Sequence, residues 1–282
     1  MERYLNDNTI LVNEESVPYI KFRIFKDIPW LICGFSTRKG GVSKGDCSTM
    51  NMSFTRGDKE VDVRENIRLF SKSAGFNPES IVMPHQCHTV NVRIVGKDDR
   101  GCGVTKPGCT EEIDGQITNE SDVVLYCLGA DCVPVFIVDT EKRVVAAVHA
   151  GWKGTVNNIV SSAIEKMISS FGCNPQNMKA AIGPSICGNC YEVSGDVAYQ
   201  FIEKYRDLAV VCPSEDNITA DPNGKFFLNL WEANRINLQK EGLRSDNIEI
   251  SGYCTKCNPD MLFSHRYHGE KRGVNIGFIC IK

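Results

Sequence analysis

Two apolar runs rich in β-branched residues stand near the middle of the chain, with a short charged stretch between them. The first run covers residues 133–138, the second covers residues 144–148, and the charged residues are 139–143. Runs of this length that are divided by a polar turn predict two buried strands joined in a hairpin. The turn lacks the Asn-Gly or Asp-Gly pair that would fix its type, so the register of the strands stays open.

The open end of this predicted hairpin carries two residues that suit zinc or copper, Cys132 before the first strand and His149 near the end of the second. If the turn is symmetric about residues 140 and 141, Cys132 pairs directly across from His149, with Cβ atoms roughly 4.5–5.5 Å apart. An odd-numbered turn shifts this pairing by one residue. A buried structural cysteine and a core histidine are the commoner roles of each residue alone. Because both lie at one end of an apolar hairpin, we favour a shared metal ion.

The remaining apolar pattern alternates between strands and helices. Strands are predicted over residues 19–25 and 122–128, and from residues 31 and 179 onward. Apolar residues at helical spacing predict helices over residues 61–70, 156–168, 195–205 and 226–238, the last capped by Asn229. Residues 261–269 and 273–281 are predicted to form a hairpin that closes the sheet. With no repeat or linker in the sequence, this pattern predicts one α/β (α+β) domain over residues 1–282.

Charge and composition argue against several classes of function. The chain has 35 acidic and 32 basic residues and no block of Lys or Arg, so no nucleic acid is expected as a partner. The first residues lack the apolar core of a signal peptide, and no apolar run reaches the roughly 18–20 residues of a membrane span. We therefore expect a cytoplasmic protein with no membrane partner, in which most of the 14 cysteines are reduced.

Two Cys-x-x-Cys pairs, Cys187 with Cys190 and Cys254 with Cys257, raise the question of a structural zinc site. Zinc ribbons separate such pairs by roughly 15–20 residues. Here 63 residues (191–253) lie between the two pairs. A redox pair would open a helix directly after a strand, whereas Cys187 follows Gly-Pro-Ser. On spacing, neither pair is expected to bind a metal.

His88 is the third candidate ligand beside Cys132 and His149. It lies in a polar segment that leads into a predicted strand, on which Gln86, His88 and Val90 would share one face. Three protein ligands and one open position are typical of catalytic zinc, although cysteine and histidine also suit copper. We expect zinc as the cofactor, with copper as the alternative.

An anion site is predicted on two loops that contain glycine. Ser36 and Arg38 offer a hydroxyl and a forked guanidinium just before Gly40. Lys153 stands where the second hairpin strand passes into a helix, whose first N–H groups are unpaired. A simple turn and a solvated lysine are the competing interpretations of these segments.

The sequence resembles the YfiH-type family, whose members are known as laccase-like polyphenol oxidases, purine nucleoside phosphorylases and peptidoglycan editing factors. The resemblance covers residues 35–273, and the motifs that carry it begin at Phe35, Gln86, Asp114, Ala130, His149, Gly183, Cys190, Leu230, Cys254 and Phe263. The sequence departs from the family pattern at Asp46–Cys47, where a Tyr is common, and at His265–Arg266–Tyr267, where Tyr-Arg-Arg is usual.

The resemblance implies a layered α/β/α fold with mixed sheets flanked by helices. It also implies a zinc-dependent enzyme that cleaves adenosine, inosine, guanosine or methylthioadenosine with phosphate and deaminates adenosine. The zinc ligands of the family fall on His88, Cys132 and His149, which we also treat as the catalytic residues. Gln86 and Gln116 join the anion residues as expected substrate contacts, and we expect a monomer or homodimer.

Two other functions remain open. A copper-dependent polyphenol oxidase would need type 1 and trinuclear copper sites, which require more histidines than the five present. A cysteine hydrolase would use Cys132 as its nucleophile, with His149 or His88 as the base and Asp131 nearby.

Overall fold

The protein is built on two large β-sheets stacked face to face, with helices on both outer faces. The computed structural model describes residues 2–14, 17–205, 210–211 and 226–282. The strands are β1 (Glu2–Tyr4), β2 (Thr9–Glu14), β3 (Val17–Phe22), β4 (Leu31–Ser36), β5 (Ile81–Val82), β6 (Val92–Ile94), β7 (Gly115–Thr118), β8 (Val124–Gly129), β9 (Val133–Asp139), β10 (Val144–Ala150), β11 (Met178–Ile182), β12 (Glu192–Val193), β13 (Val210–Val211), β14 (Phe226–Leu228), β15 (Ile248–Ile250) and β16 (Asn275–Ile281). The α-helices are α1 (Glu60–Ala74), α2 (Trp152–Val156), α3 (Ile159–Phe171), α4 (Gly195–Tyr205), α5 (Leu230–Lys240) and α6 (His265–His268).

The sheets are mixed. The first has the strand order β1-β2-β3-β4-β16-β8-β5, and only its last pair is parallel. The second has the order β15-β11-β9-β10-β7-β6, with a parallel pair at each edge. A small antiparallel sheet, β12-β14-β13, lies beside them. This arrangement confirms the predicted α/β class with mixed sheets and flanking helices.

Three apolar clusters hold these layers together. One cluster fills the space between the two large sheets and includes Phe136 from β9 and Ile279 from β16. A second packs α3, α4 and α5 on the outer face of the six-stranded sheet. The third packs α1 on the outer face of the seven-stranded sheet. Strands β9 and β10 are buried along their whole length, because other layers pack on both faces of their sheet. Their sequences are therefore apolar at successive positions instead of alternating with polar residues.

The central hairpin forms as predicted, but its register differs from the symmetric pairing. His149 pairs with Pro134, so Cys132 lies beyond the end of β9 and the expected pairing of Cys132 with His149 is wrong by two residues. Asp139 accounts for the shift, because its Oδ1 accepts hydrogen bonds from the backbone N–H groups of Glu141 (3.0 Å) and Lys142 (2.9 Å). The carboxylate thereby sets a turn that the apolar pattern could not specify.

Several predicted element boundaries also change. The helix predicted over residues 156–168 begins earlier and is divided into α2 and α3 at Asn158, which has a left-handed φ of 61°. The helix predicted over residues 226–238 is strand β14 followed by α5, which Asn229 caps as expected by accepting from the N–H of Glu232. The second difference arises because the Asn229 side chain binds the backbone at the start of α5.

The hairpin predicted at the end of the chain is wrong. Residues 265–268 form the short helix α6, where Ser264 accepts from the N–H of Tyr267. Strand β16 lies between β4 and β8, inside the seven-stranded sheet. Among the residues described, no helix is long and apolar enough to cross a lipid bilayer.

Gly277 of β16 faces Phe136 of β9 across the space between the two large sheets. A Cβ atom added at Gly277 would overlap the Phe136 ring. Phe136 cannot move away freely, since it is fully buried and also contacts the ring of Phe22 at 5.5 Å between centroids. Glycine is therefore required at position 277 by the spacing of the sheets.

We expect Gly277→Ala to lower the free energy of unfolding by about 1–3 kcal/mol, because overpacking forces the sheets apart. Urea unfolding followed by fluorescence measures this change. Gly108→Ala is the matched control, because the nearest heavy atom to its added Cβ lies 3.8 Å away. An unchanged midpoint for Gly277→Ala would show that the sheet interface adapts without cost.

Candidate metal centre

Three segments that are distant in sequence bring His88, Cys132 and His149 together. Their ligand atoms all lie within 4.8 Å of one another. Cys132 Sγ is 3.7 Å from His88 Nε2, and the two imidazole rings are 4.9 Å apart between centroids. His149 lies on β10, Cys132 lies just before β9, and His88 lies in the loop between β5 and β6. The prediction that Gln86, His88 and Val90 share one face of a strand is therefore wrong.

The carboxylate of Asp114 organises this centre. Its Oδ1 accepts from His149 Nδ1 (2.7 Å) and from the N–H of His88 (3.1 Å). Its Oδ2 accepts from the N–H groups of Cys87 (3.1 Å) and Thr89 (2.7 Å) and from the Thr89 hydroxyl (3.0 Å). One buried side chain thus fixes the loop that carries one ligand and the ring orientation of another.

The charges of the centre follow from this network. Burial alone would raise the pKa of Asp114, but the hydrogen bonds from His149 and Thr89 lower it to about 2. Burial alone would also raise the pKa of the Cys132 thiol, but the neighbouring His149 and His88 lower it to about 6. Burial alone would lower the pKa of His149, but the neighbouring Cys132 and Asp114 raise it to about 9. A bound metal ion would take the place of the Nε2 proton, because metals bind the thiolate and the neutral imidazole.

Backbone strain marks both loops that carry ligands. His88 has φ 62° and Asp131, next to Cys132, has φ 104°, although neither is glycine. Such conformations cost about 1–3 kcal/mol each and persist only where neighbouring contacts enforce them. Asp131 is held by the Thr255 hydroxyl on Oδ1 (2.6 Å) and the N–H of Arg266 on Oδ2 (2.7 Å). These bonds fix the position from which Cys132 reaches the histidines.

Gly151 keeps the space beside the three ligands open. A Cβ atom at this position would lie 2.7 Å from His88 Cδ2 and 3.3 Å from Cys132 Sγ. Two imidazoles and one thiolate around such a space match the donors of a three-ligand zinc or copper site. The residues present therefore fit a metal ion.

The centre faces a cavity of about 1390 Å³. Its walls include the apolar or aromatic side chains of Trp152, Ile186, Tyr191 and Leu230. A cavity with an apolar lining and a few convergent polar groups is the usual form of a site for a small organic molecule. The volume is large enough for more than one such molecule.

Ser36 and Arg38 do not line this cavity. The Ser36 hydroxyl is buried and accepts from the N–H of Ile276 at 2.9 Å. The Arg38 guanidinium donates to the carbonyls of Ser48 and Pro259. These hydrogen bonds hold loops of the fold, so the anion site expected on this segment is not formed at the metal centre.

The other predicted substrate residues have different positions. Gln86 lines the cavity, but its amide pairs with the backbone N–H and carbonyl of Leu128. Gln116 is buried on β7, and its amide has no hydrogen-bond partner among the described residues. Lys153 lies on the five-residue helix α2 with its ammonium 5.7 Å from the Trp152 ring, and it does not line the cavity. Of these residues, the structure brings only Gln86 to the cavity.

Among the described residues, four arginines line the cavity, and none was expected as an anion contact: Arg56, Arg64, Arg266 and Arg272. Arg64 is paired with Glu60, and Arg266 donates to the carbonyl of Glu192. Arg56 is exposed there, and Arg272 is 6% exposed with its Nε lacking a partner in the described part of the chain. Burial lowers the pKa of Arg272, and the positive charge of nearby Arg56 lowers it further. Two like charges beside one another favour an anion between them. No motif links positions 56 and 272, so sequence spacing could not reveal the pair.

Asp114 was also missed as a member of the site, although it belongs to a motif of the resemblance. The available signal was chemical, because a histidine that binds a metal usually donates its second N–H to a carboxylate or carbonyl. The sequence contains 35 acidic residues, and nothing in their spacing identifies the partner of His149.

Together, the layered α/β fold and a cavity lined by three residues that could hold a metal ion are the features of an α/β enzyme. The chain belongs to the family described as multi-copper polyphenol oxidoreductase laccase, whose family model matches residues 32–282. The predicted YfiH-type resemblance is thereby confirmed.

Similar proteins carry two activity names. Purine nucleoside phosphorylase YlmD of Bacillus subtilis (strain 168) is 36% identical over 253 residues, covering 89% of each chain. Adenosine deaminase RL5, from an unknown prokaryotic organism, is 31% identical over 246 residues, covering 86% of this chain and 90% of the relative. The crystal structure of the Bacillus licheniformis hypothetical protein YfiH aligns with a TM-score of 0.86 at 28% identity, covering 100% of this chain and 99% of that one.

We expect Asp114→Asn to weaken metal binding about 10–100-fold, since the amide cannot accept all the N–H groups that hold His88 and His149. Competition with a chromogenic chelator measures the affinity. Asp99→Asn is the control, because Asp99 is a carboxylate paired with Arg93 away from the centre. Equal affinity in Asp114→Asn and the wild type would contradict this role of the carboxylate.

Proposed function

We propose that the protein is a zinc-dependent purine nucleoside phosphorylase that also deaminates adenosine. The observation that carries the proposal is that one cavity contains both the His-Cys-His centre and the arginine pair Arg56–Arg272. Phosphorolysis needs a nucleoside and phosphate side by side, and this cavity offers a place for each. The names of the relatives from Bacillus subtilis and of RL5 support the two activities.

The apolar walls suit the purine base. Tyr191 and Trp152 present aromatic rings to the cavity, and Ile186 and Leu230 add aliphatic surface. A flat base packs well against such side chains. Arg266 holds Tyr191 in place, since its guanidinium lies 4.9 Å from the centroid of that ring.

The arginine pair suits phosphate. A guanidinium binds phosphate oxygens through two parallel N–H groups, and partial burial strengthens these bonds. Arg272 is also within electrostatic reach of Asp131 and Cys132. Phosphate bound between Arg56 and Arg272 would therefore lie beside the metal centre rather than at the cavity mouth.

In phosphorolysis, a phosphate oxygen forms a bond to C1′ of the ribose while the bond from C1′ to the base breaks. The base leaves with the electron pair and takes up a proton, and ribose 1-phosphate is the other product. In deamination, water adds to C6 of adenine and ammonia leaves. Arg56 and Arg272 position phosphate for the first reaction, and the aromatic walls hold the base in both.

His88, Cys132 and His149 would hold zinc, which would supply a Lewis acid beside the cavity. The protein prepares this site through Asp114, which holds the Nδ1 proton of His149 and leaves Nε2 directed toward Cys132 and His88. Cysteine and histidine also suit copper, so His88, Cys132 and His149 could hold copper instead. Elemental analysis of the purified protein therefore has to establish whether zinc or copper is bound.

A cysteine hydrolase is the second candidate. The ligand atoms of Cys132 and His149 lie within 4.8 Å of each other, and His149 Nδ1 pairs with Asp114. These three residues match a nucleophile, a base and an orienting carboxylate, while His88 Nε2 lies 3.7 Å from Cys132 Sγ on the other side. The low pKa of Cys132, about 6, suits a nucleophile as well as a ligand. We favour the ligand role because two imidazoles converge on the thiolate, whereas a nucleophile needs one base.

We expect Cys132→Ala to lose both the metal at this centre and both activities. Wild-type protein should become inactive on chelation and regain activity with zinc. Intact-protein mass spectrometry after a denaturing quench should find no adduct on Cys132 during turnover. Cys109→Ala is a control for a partly exposed cysteine elsewhere on the cavity wall. A trapped adduct together with full activity of the metal-free enzyme would establish the hydrolase instead.

The arginine pair separates the two reactions. Purified protein is incubated with adenosine, inosine, guanosine or methylthioadenosine, with and without phosphate, and the release of base and ammonia is measured. Arg56→Ala and Arg272→Ala should raise the KM for phosphate about 10–100-fold, in line with the loss of hydrogen bonds between charged groups. Adenosine deamination should change less than about threefold, since it needs no phosphate.

Arg244→Ala is the matched control, because this arginine is exposed and paired with Asp246 outside the cavity. Equal losses of phosphorolysis and deamination in the two cavity variants would show that the pair holds the nucleoside or the fold. Absence of base release from every nucleoside would reject the phosphorylase itself.

A further inference from the structure

The fold brings together the two Cys-x-x-Cys pairs, although 63 residues (191–253) separate them in the sequence. The four sulfur atoms of Cys187, Cys190, Cys254 and Cys257 all lie within 4.8 Å of one another. We propose that this cysteine quartet binds a second zinc ion, which has a structural role and stabilises the wall of the cavity. The proposal is independent of the catalytic activity and of the metal bound by the His-Cys-His centre.

The distances match a tetrahedral thiolate site. A zinc–sulfur bond of about 2.3 Å in a regular tetrahedron places the sulfur atoms about 3.8 Å apart. Cys190 Sγ and Cys257 Sγ are 3.5 Å apart, which is close to this tetrahedral spacing and too long for a disulfide bond. Four thiolate ligands leave no open position, which is the pattern of a structural and not a catalytic ion.

Each pair lies on a tight turn that points both of its sulfurs the same way. In the first turn the N–H groups of Cys190 and Tyr191 donate to the carbonyl of Cys187, at 3.0 and 3.1 Å. In the second, the backbone N–H and side-chain amide of Asn258 donate to the carbonyl of Cys254, at 3.2 and 2.8 Å. Each of the two turns thus supplies two of the four ligands.

Backbone donors face the most buried sulfur of the quartet. Cys254 Sγ accepts from the N–H of Cys187 at 3.3 Å and from the N–H of Cys257 at 3.5 Å. N–H groups directed at sulfur stabilise a thiolate, which is the form that binds metal. Because one donor comes from each turn, this sulfur already links the two pairs.

Spacing along the sequence argued against a metal at either pair, but spacing does not measure distance in a fold. The two turns meet because Ser185 and Cys254 form a β-bridge and the N–H of Thr255 donates to the carbonyl of Ser185 at 3.1 Å. Trp231 secures this junction by donating to the Ser185 hydroxyl at 2.6 Å. Soft thiolate ligands in a tetrahedral arrangement select zinc over magnesium or calcium.

The quartet is connected to the metal centre through Asp131. Thr255, inside the second pair, donates to Asp131 Oδ1 at 2.6 Å, and the N–H of Ile186 donates to the carbonyl of Asp131 at 3.0 Å. Asp131 precedes Cys132 in the strained loop, while Ile186 and Tyr191 flank the first pair and line the cavity. Zinc in the quartet would therefore hold both the loop that presents Cys132 and one wall of the substrate site.

Metal content and sulfur coordination test the proposal without relying on activity. Protein purified with its metal should contain about one zinc ion per chain in addition to the metal at the His-Cys-His centre. Cys132→Ala, which disables the first centre only, should retain about one. Zinc X-ray absorption of this variant should show a shell of four sulfurs at about 2.3 Å. Loss of all metal from Cys132→Ala, or a shell containing nitrogen or oxygen, would overturn the proposal.

The reciprocal variant is the double substitution Cys190→Ser with Cys257→Ser. It should lose one zinc ion, melt at a lower temperature and no longer respond to added zinc in a thermal scan. The matched control is Cys102→Ser with Cys109→Ser, two partly exposed cysteines outside the quartet, which should keep both ions. If the quartet variant fails to fold, the measurements on Cys132→Ala decide alone. A Cys190–Cys257 disulfide found by non-reducing mass spectrometry of the purified protein, or iron in place of zinc, would reject the structural zinc.

Discussion

The buried carboxylate of Asp114 is the interaction on which the candidate site depends. It binds three consecutive backbone N–H groups of the loop that carries His88, and it binds the ring of His149 on the central hairpin. A buried carboxylate with a pKa near 2 is stable only while these donors remain. The same bonds that stabilise the charge therefore also position His88 and His149.

The rest of the centre stands on rigid elements joined by strained turns. The stacked sheets fix the hairpin that carries His149, because its strands are buried on both faces. Cys132 and His88 come from loops in which left-handed backbone conformations are enforced by hydrogen bonds. Strain of this kind is concentrated at functional sites, where the packed scaffold can support its cost. The cavity thus lies at the end of the sheets, where a strand carries His149 and loops carry His88 and Cys132.

The cavity wall extends this dependence to distant parts of the chain. Asp131 connects the loop of Cys132 to Arg266 on one side and to Thr255, within the cysteine quartet, on the other. Arg272 follows α6 and reaches the same cavity as Arg56, which lies before α1. The loop of Cys132 and the wall of the cavity are therefore connected, so metals at the proposed quartet and at the candidate centre would stabilise neighbouring segments.

The sequence by itself determined the central strands, the start of α5 and the three residues of the candidate metal centre. Burial on both faces explains why the apolar runs of β9 and β10 were recognised, and the side chain of Asn229 explains why the start of α5 was found. His88, Cys132 and His149 were identifiable because few side chains bind zinc and three of them followed or preceded strong strand signals. Apolar runs and helix caps of this kind depend on residues that are close together in the sequence, so they can be recognised there.

Only the tertiary structure decided the register of the hairpin, the position of β16 inside a sheet, and the partners of each polar group. A turn carboxylate shifted the register by two residues, and Arg38 was drawn to backbone carbonyls instead of an anion. The pairing of Arg56 with Arg272 and the meeting of the four cysteines depend on contacts between segments far apart in the chain. Such contacts arise from the packing of whole layers, which no local pattern of residues records.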